Sequence, residues 1–420
     1  MYAVRKIILI ACALGSAFFS YGQSYRLEDL EKAFLEHNYA LLAQQYNINR
    51  AEAERIQARV WNNPSLRIGE INLWKTYDIE QQGRLFGNYG KNQQIAVELE
   101  QLVETAGKRK KRIALSEMQV KQENLAYEDL ILELKWNLRQ AYIQSYRLKQ
   151  VELLLTSTIQ RFEELYKHYA RQAEKQSVAR TEAYRIQSEL ISLQKEQVDL
   201  ETQKQETLQH LVLLTQLKDL SLDNLLFDFS TFRLSQRIPI DYLDEALKNN
   251  VKMKRQLHEI MAVERQLDVE KAARIPDLTL GLNYDRGGSI MKDFVGVGVR
   301  FDLPVFNRNK GNIKAAKTML EQEKINRESV AFELERSLRQ KYSLLLQYEE
   351  ALGKWERESQ LDVQELLDSY VKHLQNKQIT LIEFMDFTQS FREANTAHWE
   401  LLIDYLNTYE ELQYFIGKDF

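Results

Sequence analysis

The side chains that could bind a metal or move a proton are few and scattered. His37, His168, His210, His258, His373 and His398 form no His-Glu-x-x-His motif and no pair four residues apart, the spacing that puts two imidazoles on one helical face. Isolated surface or packing roles are expected, with His168 and His373 near two helix ends where a cation could make weak contact. Met118, Met253, Met261, Met291, Met319 and Met385 make no cluster that would favour Cu(I). No nucleophile elbow, P-loop or dinucleotide fingerprint occurs, and Gly296-x-Gly298 lies inside an alternating run, where glycine makes room. Neither an enzyme nor a cofactor-binding protein is indicated. Two charged features remain. Glu383 and Asp386 lie three apart, on one helical face, and Lys108-Arg109-Lys110-Lys111-Arg112 is the densest basic run, which fits anionic lipid or lumenal charge better than nucleic acid.

The elements that position these residues follow from composition and period. With 57 basic and 61 acidic residues interspersed, and a mean hydropathy of -0.48, the 420-residue chain is too polar for a bundle of transmembrane helices and carries no basic stripe for a nucleic acid. Only 4 prolines and 15 glycines occur, which points to long uninterrupted helices. Ile131, Leu134, Leu138, Ala141, Leu148, Leu155, Ile159, Phe162, Tyr166 and Tyr169 follow steps of three and four, with Ser145 and Glu152 at the two missing seam positions. Leu334, Leu338, Leu345, Tyr348, Leu352 and Trp355 repeat that coiled-coil rhythm. A single helix from Gly107 to Gln172 would be roughly 100 Å long.

Two regions switch to a period of two. Ile95, Val97 and Leu99 alternate with Ala96, Glu98 and Glu100; Leu278, Leu280, Leu282 and Tyr284 alternate with Thr279, Gly281, Asn283 and Asp285; Val295, Val297, Val299, Phe301 and Leu303 alternate with Gly296, Gly298, Arg300 and Asp302. Leu66 to Trp74 completes the first pair less cleanly. One apolar face over about 9 to 11 residues is what a tilted membrane strand needs. Pro64, Pro276 and Pro304 punctuate these strands, and Pro239 marks an irregular linker. Trp74, Tyr77, Phe86, Tyr89, Tyr284 and Phe294 sit at strand ends or loops, as an interface girdle would place them.

The order is therefore a duplicated helix-strand-strand-helix-helix repeat, mainly α with a β part. Ala58-Arg59-Val60 before Pro64 recurs as Ala273-Arg274-Ile275 before Pro276, and Lys175-Gln176-Ser177 recurs as Lys377-Gln378-Ile379. We divide the chain into a signal peptide at 1–22 (Arg5 and Lys6, an apolar run from Ile7 to Phe19, cleavage before Gln23), repeat 1 at 23–219, a linker at 220–240 and repeat 2 at 241–420. Cys12, in a lipobox-like setting, is the only cysteine and falls within the signal, so disulfides are excluded. Strands are expected at about 65–75, 93–104, 277–286 and 293–303, with long antiparallel helices at 107–172, 178–216, 309–374 and 380–416. Four strands cannot close a barrel in lipid, so several protomers must pool theirs.

Ala58 to Leu66, Val97 to Arg112, Ala272 to Leu282 and Val295 to Ala316 together resemble TolC-like outer-membrane efflux channels, in particular the cobalt-zinc-cadmium heavy-metal resistance branch. The resemblance implies a homotrimer with a 12-stranded barrel in the outer membrane, continuing into a periplasmic helical tunnel. It implies passive conduction of substrate from an inner-membrane pump of the RND type through a periplasmic adaptor protein. Heavy-metal cations are the cargo it favours; drugs, detergents or other small organics are the alternative within transport, and a periplasmic coiled-coil scaffold without a pore is the alternative outside it. Residue by residue, it places a periplasmic acidic ring at Glu383 and Asp386, although the family's usual residue at position 383 is aspartate. Adaptor contacts are inferred at Lys175, Gln176, Ser177, Val178, Asn376, Lys377, Gln378, Ile379 and Thr380.

Overall fold

A computed structural model describes residues 24–71, 94–229, 233–287, 291–358 and 363–420. The expected signal segment with Cys12, and Trp74, Tyr77, Phe86 and Tyr89, lie outside them. The first repeat comprises α1 (Leu27–His37), α2 (Tyr39–Ala58), β1 (Ser65–Gly69), β2 (Ala96–Val103), α3 (Lys108–Glu174) and α4 (Arg180–Thr215). Short 3-10 turns at Leu222–Asn224 and Leu234–Arg237 follow. The second repeat comprises α5 (Tyr242–Asn249), α6 (Val251–Ala273), β3 (Leu278–Gly287), β4 (Lys292–Phe301), α7 (Lys310–Glu358), α8 (Val363–Gln375) and α9 (Leu381–Ile416). Where one helix over 309–374 is expected, α7 and α8 flank the undescribed residues 359–362.

The chain forms two compact units from interleaved segments. One comprises Met1–Leu42, Asp129–Asn250 and Glu333–Phe420, the other Ala43–Glu128 and Val251–Phe332. In the first, Leu148, Leu155, Ile159, Phe162 and Leu165 of α3 pack with Ile186, Leu193 and Leu200 of α4 and with Leu374, Leu381 and Phe384. The seven-residue spacing along α4 is a coiled-coil seam. Both polar interruptions of the α3 seam are satisfied. Buried Ser145 donates to the Ala141 carbonyl at 2.8 Å, and Glu152 accepts from Lys204 of α4 at 2.7 Å. Neither leaves a buried polar group unpaired, the costly outcome for such positions.

The duplication extends to individual bonds. Buried Asn38, between α1 and α2, accepts from the backbone of Ala40 and Leu41 (2.9 and 3.2 Å) and donates Nδ2 to the Leu214 carbonyl near the end of α4 (2.9 Å). Its counterpart Asn250, between α5 and α6, donates Nδ2 to the Phe415 carbonyl near the end of α9 (2.7 Å). Each asparagine thus satisfies a carbonyl that a helix end leaves without an intrahelical partner. The two helices end alike, in a left-handed residue: Gln216 (φ 60) after α4, Gly417 (φ 79) after α9. A Cβ on Gly417 would lie 2.8 Å from the Asn249 carbonyl oxygen, so the space requires glycine there while the left-handed angle favours it.

The linker is pinned within the first unit. Tyr25 and Leu225 form an isolated parallel bridge, in which Leu226 donates to the Tyr25 carbonyl at 2.9 Å and Tyr25 donates to the Asn224 carbonyl at 2.8 Å. Phe227 and Phe229 pack against the rings of Tyr142 and Tyr146. Glu349 accepts from the Tyr405 hydroxyl (3.0 Å) and from the Ser235 backbone and hydroxyl (3.2 and 3.1 Å). Burial pushes the Tyr405 hydroxyl well above the usual phenol range, so it stays a donor.

Candidate functional site

Two places carry the features a conduit needs: the sheet in one unit and the helical turns in the other. The sheet has the order β1-β2-β3-β4, antiparallel throughout, so β1 and β4 are its edges. Its register sorts most of the side chains, with Gln101 the polar exception on the apolar face and Leu102 an apolar one on the other. On one face stand Leu66, Leu99, Leu282 and Val297 in a row, then Ile68, Val97, Tyr284 and Val295, with Val103, Leu278 and Phe301 in a third. This face is solvent-exposed, Val297 by 87%. An exposed apolar surface of this kind marks a membrane or protein interaction surface rather than a monomer's outer wall.

The other face is polar and small. Arg67, Glu98, Asn283 and Gly296 align in one row, and Ser65, Glu100, Gly281 and Gly298 in the next. Arg300 reaches from β4 across β3 to Glu100 on β2 at 2.8 Å, and the β3 residue opposite Glu100 is Gly281, which puts no side chain in its way. Crowding accounts for only one of the two glycines in Gly296-x-Gly298. A Cβ at Gly296 would meet Asn283 Oδ1 at 2.5 Å and the Phe294 ring at 2.6 Å, while nothing lies within 4 Å of one at Gly298. Phe294 departs from the expected girdle: it pairs with Asp285 on the polar face, whereas Tyr284 stands on the apolar face and donates to Asp293 at 2.7 Å.

The basic run at 108–112 is mostly used locally. Lys108 pairs with Asp277 at 2.8 Å, and Arg112 with Glu104 at 2.5 Å, a contact that raises the guanidinium's proton affinity further. Thr105 donates its amide to Asp277 at 2.8 Å and its hydroxyl to the Pro276 carbonyl, so the two strand-helix junctions are stitched together.

The turns at the other candidate place share one geometry. After α3, Gln176 is left-handed (φ 58); its amide donates to Ala173 (3.1 Å) and that of Ser177 to Gln172 (2.9 Å). After α8, Lys377 is left-handed (φ 57); its amide donates to Leu374 (3.0 Å) and that of Gln378 to His373 (2.9 Å). Both are Schellman motifs closed by a non-glycine residue. They correct the sequence alignment by one position. Gln176 is the structural equivalent of Lys377 rather than of Gln378, so the repeated Lys-Gln pair is coincidental in register. Asn376, Ile379 and Thr380 complete the second turn as Lys175, Val178 and Ala179 complete the first.

Thr380 begins α9 with a capping box: its hydroxyl accepts from the Glu383 amide (3.3 Å), and Glu383 Oε2 accepts from the Thr380 amide (2.7 Å) and hydroxyl (2.9 Å). Glu383 therefore has a second role beside that of a candidate ring acid, one that the Thr-x-x-Glu spacing, a cap signature, carries in the sequence. The cap amide, then the hydroxyl, hold the Glu383 carboxyl below its ordinary range. Asp386 lies one turn on, exposed like Glu383, while Leu381, Phe384 and Thr388 fill the buried side of the same helix. The structure thus places both acids on the exposed side of α9.

Beside these turns lies a cavity of about 280 Å3 with a floor of Leu165, Leu374 and Phe384 and a rim of Arg161, His168, Arg171, Gln172 and Lys377. Arg161 holds α8 through Asp368 at 2.7 Å, and His168 contacts Gln172 at 2.8 Å. Among the described residues, no group of three or more His, Cys, Asp or Glu side chains is placed to hold a metal ion, and no helix is long and apolar enough to cross a membrane.

A four-stranded antiparallel sheet with one largely apolar exposed face, in a chain whose strand pairs alternate in sequence with long helices, narrows the choice of family sharply. Residues 242–418 match the outer membrane efflux protein family. Members of that family are channels and not enzymes. No curated protein matches the sequence. The fold is that of solved outer-membrane channels. A structure of CusC, described in terms of folding and transmembrane channel formation, superposes with a TM-score of 0.73 at 15% identity, over 96% of this chain and 96% of that one. The CmeC outer membrane channel of Campylobacter jejuni gives 0.72 at 15% identity over 93% and 85%, and the outer membrane protein VceC of Vibrio cholerae 0.71 at 14% over 94% and 96%.

Proposed function

We propose that this protein is the outer-membrane channel of a tripartite efflux system. Three copies pool their sheets into one 12-stranded barrel, and the substrate delivered by an inner-membrane pump of the RND type and a periplasmic adaptor passes through it without chemistry. The observation that carries this reading is the sheet: an exposed, largely apolar face backed by a mostly polar, glycine-containing face, with both edge strands unpaired among the described residues. A scaffold without a pore leaves that apolar face without a purpose, whereas a barrel puts it in lipid and the Arg300–Glu100 layer in the lumen. Heavy-metal cations are the cargo we favour, on the likeness of the strand and junction segments to the metal-resistance branch.

In this reading the turns at 175–178 and 376–380 contact the adaptor, and Glu383 and Asp386 of three copies form an acidic constriction. Two opposed effects then act on Glu383. The cap lowers its proton affinity, while mutual repulsion among six carboxylates raises that of the ring. A trivalent or divalent cation bound there relieves the repulsion and blocks conductance. Because Glu383→Ala would also remove the cap, the informative variant is Glu383→Gln with Asp386→Asn, which retains it. Planar-bilayer recordings should show block by multivalent cations lost in this variant. Unchanged block would remove the ring from the account. Growth of a deletion strain across zinc, cobalt, cadmium, nickel, copper, silver, bile salts and dyes tests the cargo. Complementable sensitivity to metals alone supports it, and sensitivity to organics alone replaces it.

A further inference from the structure

The foot of the apolar sheet face carries a surface that channel function does not require. Arg109, in the first turn of α3, lies with its guanidinium carbon 4.7 Å above the Trp61 ring, and its Nε donates to the Arg59 carbonyl at 2.9 Å. Gln101, on the apolar face of β2, donates to the Asn62 carbonyl at 3.0 Å. The segment from Arg59 to Asn62 is thereby fixed at the base of that face. Trp61 is nevertheless 61% exposed, its chain neighbour Val60 is exposed, and so is Lys110, which follows Arg109 in α3. The second strand pair ends in the same combination: Val305 is exposed and Phe306 fully so, followed by Arg308, whose Nε donates to the Pro304 carbonyl at 3.2 Å.

Aromatic and aliphatic side chains continuous with a lipid-length apolar wall, backed by cations, match one chemistry. The wall meets acyl chains, and the cations meet the phosphates at their end. Arg109 is held flat by the indole and anchored on one edge by the Arg59 carbonyl, so its orientation is set before any ligand arrives. Lys108 and Arg112 are committed to Asp277 and Glu104, and Arg59 is paired to Glu117 at 3.3 Å, so the patch is assigned to the stacked Arg109 and to Lys110, the exposed lysine that follows it.

We propose that Trp61, Arg109 and Lys110 form a binding site for an anionic glycerophospholipid of the periplasmic leaflet, Arg109 and Lys110 holding the phosphate and Trp61 and Val60 lying against its glycerol and upper acyl chains. The site rests on the barrel reading above, since it needs the sheet in a bilayer. Full-length protein reconstituted in dimyristoylphosphatidylcholine bilayers is titrated with dimyristoylphosphatidylglycerol, and retained lipid is counted by native mass spectrometry beside the thermal midpoint. Wild type should retain the anionic lipid about tenfold over the zwitterionic one, with a raised midpoint, and Arg109→Gln with Lys110→Gln should bring the ratio to parity. Trp61→Ala should weaken retention of both lipids. Parity in wild type, or an anionic preference surviving the double substitution, overturns the site. Equal stabilisation by inorganic phosphate overturns the lipid as its ligand. Dissociation of the trimer by Trp61→Ala in every lipid overturns it in favour of a contact between copies. Failure of the barrel reading looks different: the wild-type protein would not enter bilayers of either composition.

Discussion

Replacing Asn38 by alanine removes two kinds of contact at once. The side chain caps α2 through the amides of Ala40 and Leu41 and satisfies the Leu214 carbonyl, all at a site only 5% exposed. Loss of the cap costs about 1 kcal/mol, and stranding a buried carbonyl about 1–3 kcal/mol, so a loss of about 2–4 kcal/mol is expected. Asn38→Asp separates the two terms. It keeps the acceptor and places a negative charge at a helix N-terminus, which helps the cap, but it sets a carboxylate against the Leu214 oxygen. If the carbonyl bond dominates, Asp is nearly as damaging as Ala; if the cap dominates, Asp is close to neutral. Asn250→Ala, with its bond to Phe415, should behave like Asn38→Ala. Urea denaturation in detergent followed by helical circular dichroism gives the magnitudes, and hydrogen exchange at the ends of α4 and α9 shows where protection is lost. Alanine variants at both positions within about 0.5 kcal/mol of wild type would refute the claim that these bonds join the helix ends, because that is the ordinary scatter of surface substitutions.

Three further outcomes follow from the same geometry. Arg139 is nearly buried among Glu31 (2.6 Å), Glu410 (2.6 Å) and Asp419 (3.0 Å); Lys135 also serves Glu31 and Asp419, so Arg139→Met chiefly strands the half-buried Glu410 and should cost about 3 kcal/mol. Burial already raises the Glu410 carboxyl against the pull of Arg139. In the variant it binds its proton more tightly still in the folded state than in the unfolded one, so stability should fall as pH rises above the ordinary glutamate range, measurable as urea midpoints between pH 5 and 8. Gly417→Ala should destabilise by about 1–3 kcal/mol through the left-handed angle and the Asn249 clash, whereas Gln216→Gly at the equivalent end should be neutral or stabilising, read by thermal melts of the two variants. Thr380→Val removes the α9 cap at a cost of about 1 kcal/mol. It should also let the Glu383 carboxyl return upward, which carboxyl chemical shifts across an acid titration would show.

Most of the architecture is legible in the sequence because its determinants are local and periodic. A run such as Leu278 to Asp285 states its two faces residue by residue, and Leu148, Leu155 and Phe162 state a seam. The sites are less legible. Asn38 and Asn250 sit in unlike contexts, His-Asn-Tyr and Asn-Asn-Val, and their common role depends on carbonyls far along the chain. The turn register is hidden because Lys-Gln recurs by chance, while the feature that does recur, a left-handed residue, is carried by Gln176 in one repeat and Lys377 in the other, neither a glycine. Glu383 shows a third limit. One carboxylate can be both a cap and a ring member, and spacing alone displays the two roles identically.

The central claim is that the edge strands of one copy close onto those of the next. Cys12 is the one cysteine of the sequence, so in a Cys12→Ser background a pair introduced at Leu66 on β1 and, in turn, at Val295, Val297 or Val299 on β4 gives an unambiguous oxidative cross-link between copies. In outer membranes, covalent dimers and trimers should form at one β4 position or its neighbour and stop at three copies. Absence of cross-linking at all three positions in membrane-embedded protein, or ladders running past the trimer, would contradict the account.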